Sequence, residues 1–140
     1  LLPLLRFAET PRTGSVLEQL VAGSDDPQVL SIALRQLHGP DARSRVRALC
    51  THADALVRSA AAVALGRIGE PDDQRRLTEM MGDRDWWVRY RSAQALLALP
   101  GVQSGALAQA RGQLEDRYAR DMLDHAWAER ALQTAGGGAA

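Results

Sequence analysis

The chain has 140 residues, the length of one domain, and its 17 basic residues are balanced by 17 acidic ones, so its formal net charge is zero. This balance argues against a global electrostatic attraction to nucleic acid or anionic lipid. The single cysteine, Cys50, excludes an internal disulfide. Every basic residue is Arg and Lys is absent, which indicates a GC-rich, bacterial genome.

The N-terminal stretch LLPLLRF is apolar but too short to span a bilayer, and it lacks the layout of a signal peptide. We therefore expect no membrane insertion by this chain and a cytoplasmic location. Residues 1–13 are predicted to be the remnant of an upstream helix and its linker. Ser15 then has the position of an N-cap for a helix that buries four apolar residues, Val16, Leu17, Leu20 and Val21.

Apolar residues at helical spacing, interrupted by Gly and Pro, predict a series of helices and no strand. The predicted helices are Pro27–Leu37, Asp41–Thr51, Asp54–Ile68, Asp72–Met81, Trp86–Leu99, Ser104–Leu114 and Arg117–Gln133. We expect Ala61, Leu65, Ala93 and Leu96 to be buried between helices. Residues 135–140 contain only Gly and Ala, which predicts a flexible tail after a domain of residues 1–134.

A motif of the form Asp-x-x-Val-Arg occurs at Asp54 and again at Asp85, and partial copies begin at Asp26 and Asp116. The four Asp positions are separated by 28, 31 and 31 residues, a period that marks stacked helix pairs. Each pair has an apolar face that it cannot bury alone, and stacking buries it. The sequence therefore predicts an all-α fold, a right-handed α-solenoid of about four to five antiparallel helix pairs.

The segments DALVRSAAAVALGRIGEP and LTEMMGDRDWWVRYRSAQALLALPG resemble HEAT repeats, especially the short bacterial type named after phycobilisome lyases. The resemblance covers about residues 14 to 130. It implies a scaffold whose second helices line a concave face, with Asp and Arg forming a ladder between neighbouring repeats. Such a family specifies a fold better than a function.

The repeated acidic and basic residues are interpreted first as structural. An Asp that precedes a helix can accept hydrogen bonds from exposed N–H groups, and it complements the helix dipole. The Arg four positions later could reach the Asp of its own or of an adjacent repeat. The predicted ladder consists of Asp54, Arg58, Asp85, Arg89, Asp116 and Arg120.

Three of the six aromatic residues, Trp86, Trp87 and Tyr90, lie within five positions and are followed by Arg91. One interpretation is that both Trp side chains fill the space between repeats. However, other residues of this helix already supply its core stripe, so at least one Trp should be partly exposed. The alternative is a partner-binding patch of the kind enriched at interfaces. The candidate partner-binding residues are Trp86, Trp87, Tyr90 and Arg91, with Arg117 and Asp121 on the adjoining repeat.

No motif indicates catalysis. His38, His52 and His125 lie in different repeats without metal-ligand spacing, and the sequence has no phosphate-binding Gly loop or nucleophile motif. We therefore predict no catalytic residue, metal or cofactor, and a non-enzymatic scaffold or adaptor that binds a protein partner on its concave face. Two alternatives stay open. A nucleic-acid-binding or DNA-repair role is permitted by the Arg-rich stretch of residues 43–47 but disfavoured by the neutral charge. A bilin lyase or chaperone is suggested by the repeat type alone.

Overall fold

The computed structural model describes residue 19 and residues 23–138. Within this part of the chain there are seven α-helices and no strand, so the predicted all-helical fold is confirmed. The helices are α1 (Pro27–Gln36), α2 (Arg43–Leu49), α3 (Ala55–Ile68), α4 (Gln74–Met80), α5 (Trp86–Ala98), α6 (Ser104–Gln113) and α7 (Arg117–Gly138). The predicted helix remnant of residues 1–13 and the helix after Ser15 lie outside the described residues.

Four helices begin directly after an Asp whose side chain accepts a hydrogen bond from the first turn. Asp26 binds the N–H of Gln28 at 2.9 Å, and Asp54 binds that of Leu56 at 2.8 Å. The corresponding distances from Asp85 to Val88 and from Asp116 to Tyr118 are 3.1 and 2.9 Å. These side chains satisfy N–H groups that have no partner within the helix, which explains why α1, α3, α5 and α7 begin where they do.

The helices form two layers. The helices that follow a capping Asp, here called the second helices, are α1, α3, α5 and α7, and each packs against the next. The first helices α2 and α4 pack on α3 and α5, each after one 3-10 turn that begins at Pro40 or Pro71. Leu107 attaches α6 to the same core. This arrangement is that of an α-solenoid, and its right-handed sense stays a prediction.

The core lies between the two layers and along the second helices. Ala61, Leu65, Ala93 and Leu96 are completely buried, as the sequence predicted. Leu65 and Leu96 occupy the same position in successive repeats, so each repeat buries its apolar face against the next one. Cys50 belongs to the same buried cluster.

Contact between consecutive second helices is closest where both carry small residues. A Cβ atom placed on Gly66 of α3 would lie 2.7 Å from Cα and 2.8 Å from Cβ of Ala95 on α5. The residue that corresponds to Gly66 one repeat later is Leu97, which lines a small cavity of about 60 Å³ together with Ala126 of α7. The α3–α5 contact is therefore tighter than the α5–α7 contact.

Helix α7 continues to Gly138, past Gln133, where the sequence predicted its end. The division of the chain into a domain of residues 1–134 and a tail stays a prediction. None of the helices in the described ranges combines the length and the apolar character that a membrane crossing requires.

Candidate partner-binding site

Large apolar side chains are exposed on one layer only. In the part of the chain that the structure describes, every exposed large hydrophobic residue lies on a second helix. These residues are Ile32, Leu56, Val63, Trp86, Trp87, Tyr118 and Leu132. Leu56, Trp87 and Tyr118 share one repeat position, two residues after the capping Asp, so they follow one another from repeat to repeat.

Trp86, Trp87, Tyr90 and Arg91 form a contiguous surface on α5, here called the aromatic patch. Trp86 stacks on Tyr90 with ring centroids 5.2 Å apart, and Trp87 meets both rings edge-on at 5.1 and 5.8 Å. The guanidinium carbon of Arg91 lies 5.1 Å from the centroid of the Trp87 ring, a distance typical of a cation–π contact. The four side chains therefore support one another in a single arrangement.

The interpretation that both Trp side chains fill the space between repeats is wrong. Trp86 and Trp87 are 50% and 54% exposed. Val88 and Ser92 take the inward positions of α5, and the close approach of Gly66 to Ala95 leaves no room for an indole ring between α3 and α5. The expectation that at least one Trp is partly exposed is met by both.

Tyr90 connects the aromatic patch to the next repeat. Its hydroxyl donates a hydrogen bond of 2.7 Å to Oε2 of Glu129 on α7, and the other oxygen of Glu129 lies 2.6 Å from Nε2 of His125. The hydrogen bond to Glu129 raises the pKa of Tyr90, and burial acts in the same direction. The phenol is therefore held as a donor. Sequence reasoning missed Glu129, because no local pattern links it to Tyr90, 39 residues earlier.

A groove of about 330 Å³, here called the α3–α5 groove, adjoins the aromatic patch. Leu56 from α3 and Trp87 from α5 line it, together with Arg35 and Arg91. The remaining lining residues are Ala55, Ser59 and Asp85. Arg35 is a further residue that sequence reasoning did not associate with this surface.

The other two candidate residues lie on the same layer, one repeat away. Arg117 occupies the repeat position of Trp86, and its ion pair is with Asp121, at 3.9 Å. Both side chains are largely exposed. Sequence reasoning placed them on the adjoining repeat, and their part in binding stays a prediction.

The charged residues of the predicted ladder have other partners in the structure than the sequence predicted. The guanidinium of Arg58 is buried and binds both carboxylate oxygens of Asp83, at 2.9 and 3.1 Å, instead of Asp54 or Asp85. It also donates to the carbonyl oxygens of His52 and Ala53, both at 2.9 Å. Asp54 and Asp85 instead accept hydrogen bonds from the first turns of α3 and α5.

Burial alone would raise the pKa of Asp83, but the hydrogen bonds from Arg58 and from the N–H of Asp85 outweigh it and lower this pKa. Arg89, the equivalent of Arg58, donates instead to the carbonyl oxygen of Asp83 in its own turn, at 2.8 Å. Arg120 forms no ion pair with any residue in the range 23–138. The pair of Arg58 with Asp83 is thus the one ion pair that an Arg of the predicted ladder forms across a repeat junction in the described part of the chain.

A second set of charged contacts joins the first helices. Arg47 of α2 binds both carboxylate oxygens of Asp73 at 2.8 Å and Glu70 at 2.9 Å, while Arg43 donates to the carbonyl oxygen of Ile68 at 2.7 Å. Burial would raise the pKa of Asp73, but its hydrogen bonds from Arg47 and the Glu70 N–H lower it overall. Sequence reasoning treated these Arg residues only as permitting nucleic-acid binding.

Neither a metal-binding cluster nor an activated thiol is present in the described residues. In residues 23–138 no three His, Cys, Asp or Glu side chains gather in a way that could hold a metal ion. Burial raises the pKa of the Cys50 thiol to about 11, so this thiol stays protonated near neutral pH and is a poor nucleophile.

A family model for HEAT repeats matches residues 7–97 of the chain. The phycobilisome-lyase type of repeat stays a prediction. No curated protein and no solved structure matches the chain.

Proposed function

Because this chain belongs to the HEAT repeat family, we propose that it is a non-enzymatic scaffold that binds a protein partner on the exposed face of its second helices. HEAT repeats generally mediate protein–protein interaction and are typically not catalytic. By the resemblance described above, the layer of second helices is the concave face of the solenoid.

The main support for this proposal is that the exposed large apolar side chains lie on one layer of the solenoid, the second helices. Their confinement to the second helices in the described part of the chain cannot be explained by packing within the solenoid, because the core positions are filled by other residues. Exposed apolar groups that line one face mark interaction surfaces. A surface of this kind extends over α1, α3, α5 and α7.

The aromatic patch supplies the strongest anchors on this face. Trp, Tyr and Arg are the residue types that dominate interface energetics, since they combine a large contact area with a polar group that fixes orientation. The contacts among Trp86, Trp87, Tyr90 and Arg91 hold these side chains in place before a partner arrives. Little rotamer freedom is then left to be lost on binding.

The proposal is tested by identifying a partner through affinity capture and measuring its affinity for Trp86→Ala and Tyr90→Ala variants. Truncation of an interface anchor costs about 2 kcal/mol or more, so we expect a loss of about thirtyfold or more for Trp86→Ala. Arg75→Ala is the control, because Arg75 is exposed on the first helix α4 and lies outside the layer of second helices.

Folded variants that bind the partner as tightly as the parent would contradict the proposed surface. Turnover of a small molecule by the isolated domain would contradict the non-enzymatic role. Retention on a nucleic-acid column that weakens steeply with salt would favour the nucleic-acid alternative instead.

A further inference from the structure

We infer that the α3–α5 groove binds an acidic segment of a partner protein, with a bulky apolar side chain between Leu56 and Trp87 and a neighbouring carboxylate against Arg35 and Arg91. This inference rests on the proposed function, and it names the chemistry of the partner at one point of that surface.

The apolar half of the groove fits one large side chain. Leu56 is 42% exposed and Trp87 is 54% exposed, and they face the groove from adjacent helices at the same repeat position. A volume of about 330 Å³ is close to the lower limit of ligand pockets, which is about 300 Å³. The groove therefore accommodates an aliphatic or aromatic side chain but not a folded element.

The polar half of the groove carries an excess of positive charge. Neither Arg35 nor Arg91 forms an ion pair with a carboxylate in residues 23–138. Arg91 uses Nη1 to donate to Oε1 of Gln94 at 2.9 Å, which leaves its remaining N–H groups for another acceptor. Asp85 is the one acidic lining residue, and its Oδ1 already accepts the N–H of Val88.

Helix dipoles add to this field. The groove lies against the first turns of α3 and α5, which contribute Ala55, Leu56 and Trp87, and the N-terminus of a helix carries partial positive charge. The caps Asp54 and Asp85 offset part of it. Two guanidinium groups beside two helix starts thus match a carboxylate, and Arg binds carboxylates through two parallel hydrogen bonds.

The same groove is a poorer match for a nucleic acid, although Trp and Arg also stack on bases. A nucleic acid presents a continuous row of phosphates, whereas two cations, Arg35 and Arg91, line the groove beside the acidic Asp85. The formal net charge of the chain is zero, so the rest of the chain adds no general attraction for phosphates. A short peptide that places one carboxylate against the two cations presents less negative charge to Asp85.

The test is to select a displayed random peptide library against the whole chain and to measure the selected peptides, labelled with fluorescein, by fluorescence anisotropy. We expect peptides in which Leu, Phe or Trp stands next to Asp or Glu. Arg35→Gln and Arg91→Gln should each weaken binding by about tenfold, and Leu56→Ala by a similar factor. Arg75→Gln is the matched control, since Arg75 is exposed on α4 and pairs with Glu79 there.

Peptides that need Trp87 but bind Arg35→Gln and Arg91→Gln at full strength would overturn the acidic partner and leave the proposed surface standing. Peptides whose binding is unchanged by both Trp86→Ala and Trp87→Ala would contradict the proposed surface itself. Failure to select any peptide, or a fluorescein-labelled oligodeoxythymidine that binds and is lost in Arg35→Gln, would overturn the inference. Unchanged circular dichroism of the variants excludes unfolding as the cause.

Discussion

The capping residues Asp26, Asp54, Asp85 and Asp116 mark four repeats in chain order. The junction between the second and third repeats and the junction between the third and fourth repeats both pair consecutive second helices, but they differ in their side-chain contacts. At the earlier junction the buried guanidinium of Arg58 binds Asp83, which lies two residues before the next capping Asp. At the later junction the same positions hold Arg89 and Leu114, and no carboxylate stands where Asp83 would be. Arg89 therefore binds only a carbonyl oxygen of its own turn.

The first helices repeat this contrast. Arg43 and Arg47 join α2 to the start of the next repeat, whereas the corresponding residues of α4 are Gln74 and Thr78. Gln74 makes a single hydrogen bond across the later junction, to the carbonyl oxygen of Ala106, at 3.3 Å. The hydrogen bond from Tyr90 to Glu129 also crosses the later junction, whereas the exposed ion pair of Arg111 with Asp124 lies within the fourth repeat.

A repeat motif thus specifies the helices and their core but not the strength of each junction. In a solenoid the total stability is approximately a sum of repeat and nearest-neighbour terms, so junctions of unequal strength open at unequal free energies. We expect the fourth repeat to open before the second and third repeats separate. Four predictions test this difference, beginning with the largest effect.

Asp83→Ala should destabilise the protein by about 3 kcal/mol, because it leaves the buried charge of Arg58 without its carboxylate partner. The carbonyl oxygens of His52 and Ala53 still accept from Arg58, which keeps the loss at the lower end of the expected range. Asp124→Ala is the matched control, because its pair with Arg111 is 43% and 45% exposed and should contribute at most about 1 kcal/mol. Urea denaturation of the two variants measures the difference. Equal losses would mean that the buried pair across the earlier junction stabilises the fold no more than an exposed pair within one repeat.

Gly66→Ala should destabilise by about 1 to 3 kcal/mol, because the added methyl group would press against Ala95 and force α3 away from α5. Gly112→Ala in α6 provides the control, since a Cβ there meets nothing within 4 Å. Replacing an exposed helical Gly by Ala gains up to about 1 kcal/mol, so the two variants should melt on opposite sides of the parent. If Gly66→Ala also melts above the parent, the close approach of α3 to α5 is wrong.

Asp85→Ala and Asp116→Ala should each cost about 0.5 to 2 kcal/mol, the usual effect of removing an N-cap. Their hydrogen bonds, 3.1 Å to Val88 and 2.9 Å to Tyr118, lie within their own repeats. Similar losses in thermal melts would confirm that the caps are repeated features while the junction contacts are not. A cap at Asp85 that costs nothing would show that this carboxylate is available for binding.

The smallest effect is expected from mild acid. The pKa values of Asp73 and Asp83 are lower in the folded protein than the usual value of about 3.9. Both carboxylates therefore stabilise the fold at pH values above their usual pKa. Their contribution is lost only as the pH falls through the folded pKa. Unfolding free energies should therefore change little from neutral pH to about pH 5 and fall below pH 4. An Asp73→Asn variant should show a shallower fall, and an unchanged profile would contradict the role of its pair with Arg47.

Much of the fold could be predicted from the sequence because its determinants are local or periodic. The capping Asp residues mark the starts of the second helices, and residues such as Leu65 and Leu96 recur at one helical face. The candidate site was predicted less well, because its geometry depends on contacts between side chains that are distant in sequence. Arg35 reaches a groove formed mainly by α3 and α5. Asp83 pairs with Arg58 across a junction, and no periodic signal marks it.

The exposure of both Trp residues shows why helical periodicity alone was insufficient. Periodicity assigns an inward face to α5, but it does not indicate how closely α3 will approach. That distance depends on Gly66 and Ala95, which stand opposite each other only after the repeats stack. Small residues at this contact close the interface and leave the indole rings outside.

The hydrogen bond between Tyr90 and Glu129 makes the aromatic patch thermodynamically linked to the fourth repeat. A ligand that binds the patch only while Tyr90 is held by Glu129 also favours the docked position of α7, and undocking of α7 weakens that ligand by the same free energy. Occupancy of the third repeat would then slow amide hydrogen exchange in α7, which the ligand does not touch. Tyr90→Phe keeps the aromatic ring but removes this hydrogen bond, so protection of α7 and occupancy of the patch become independent.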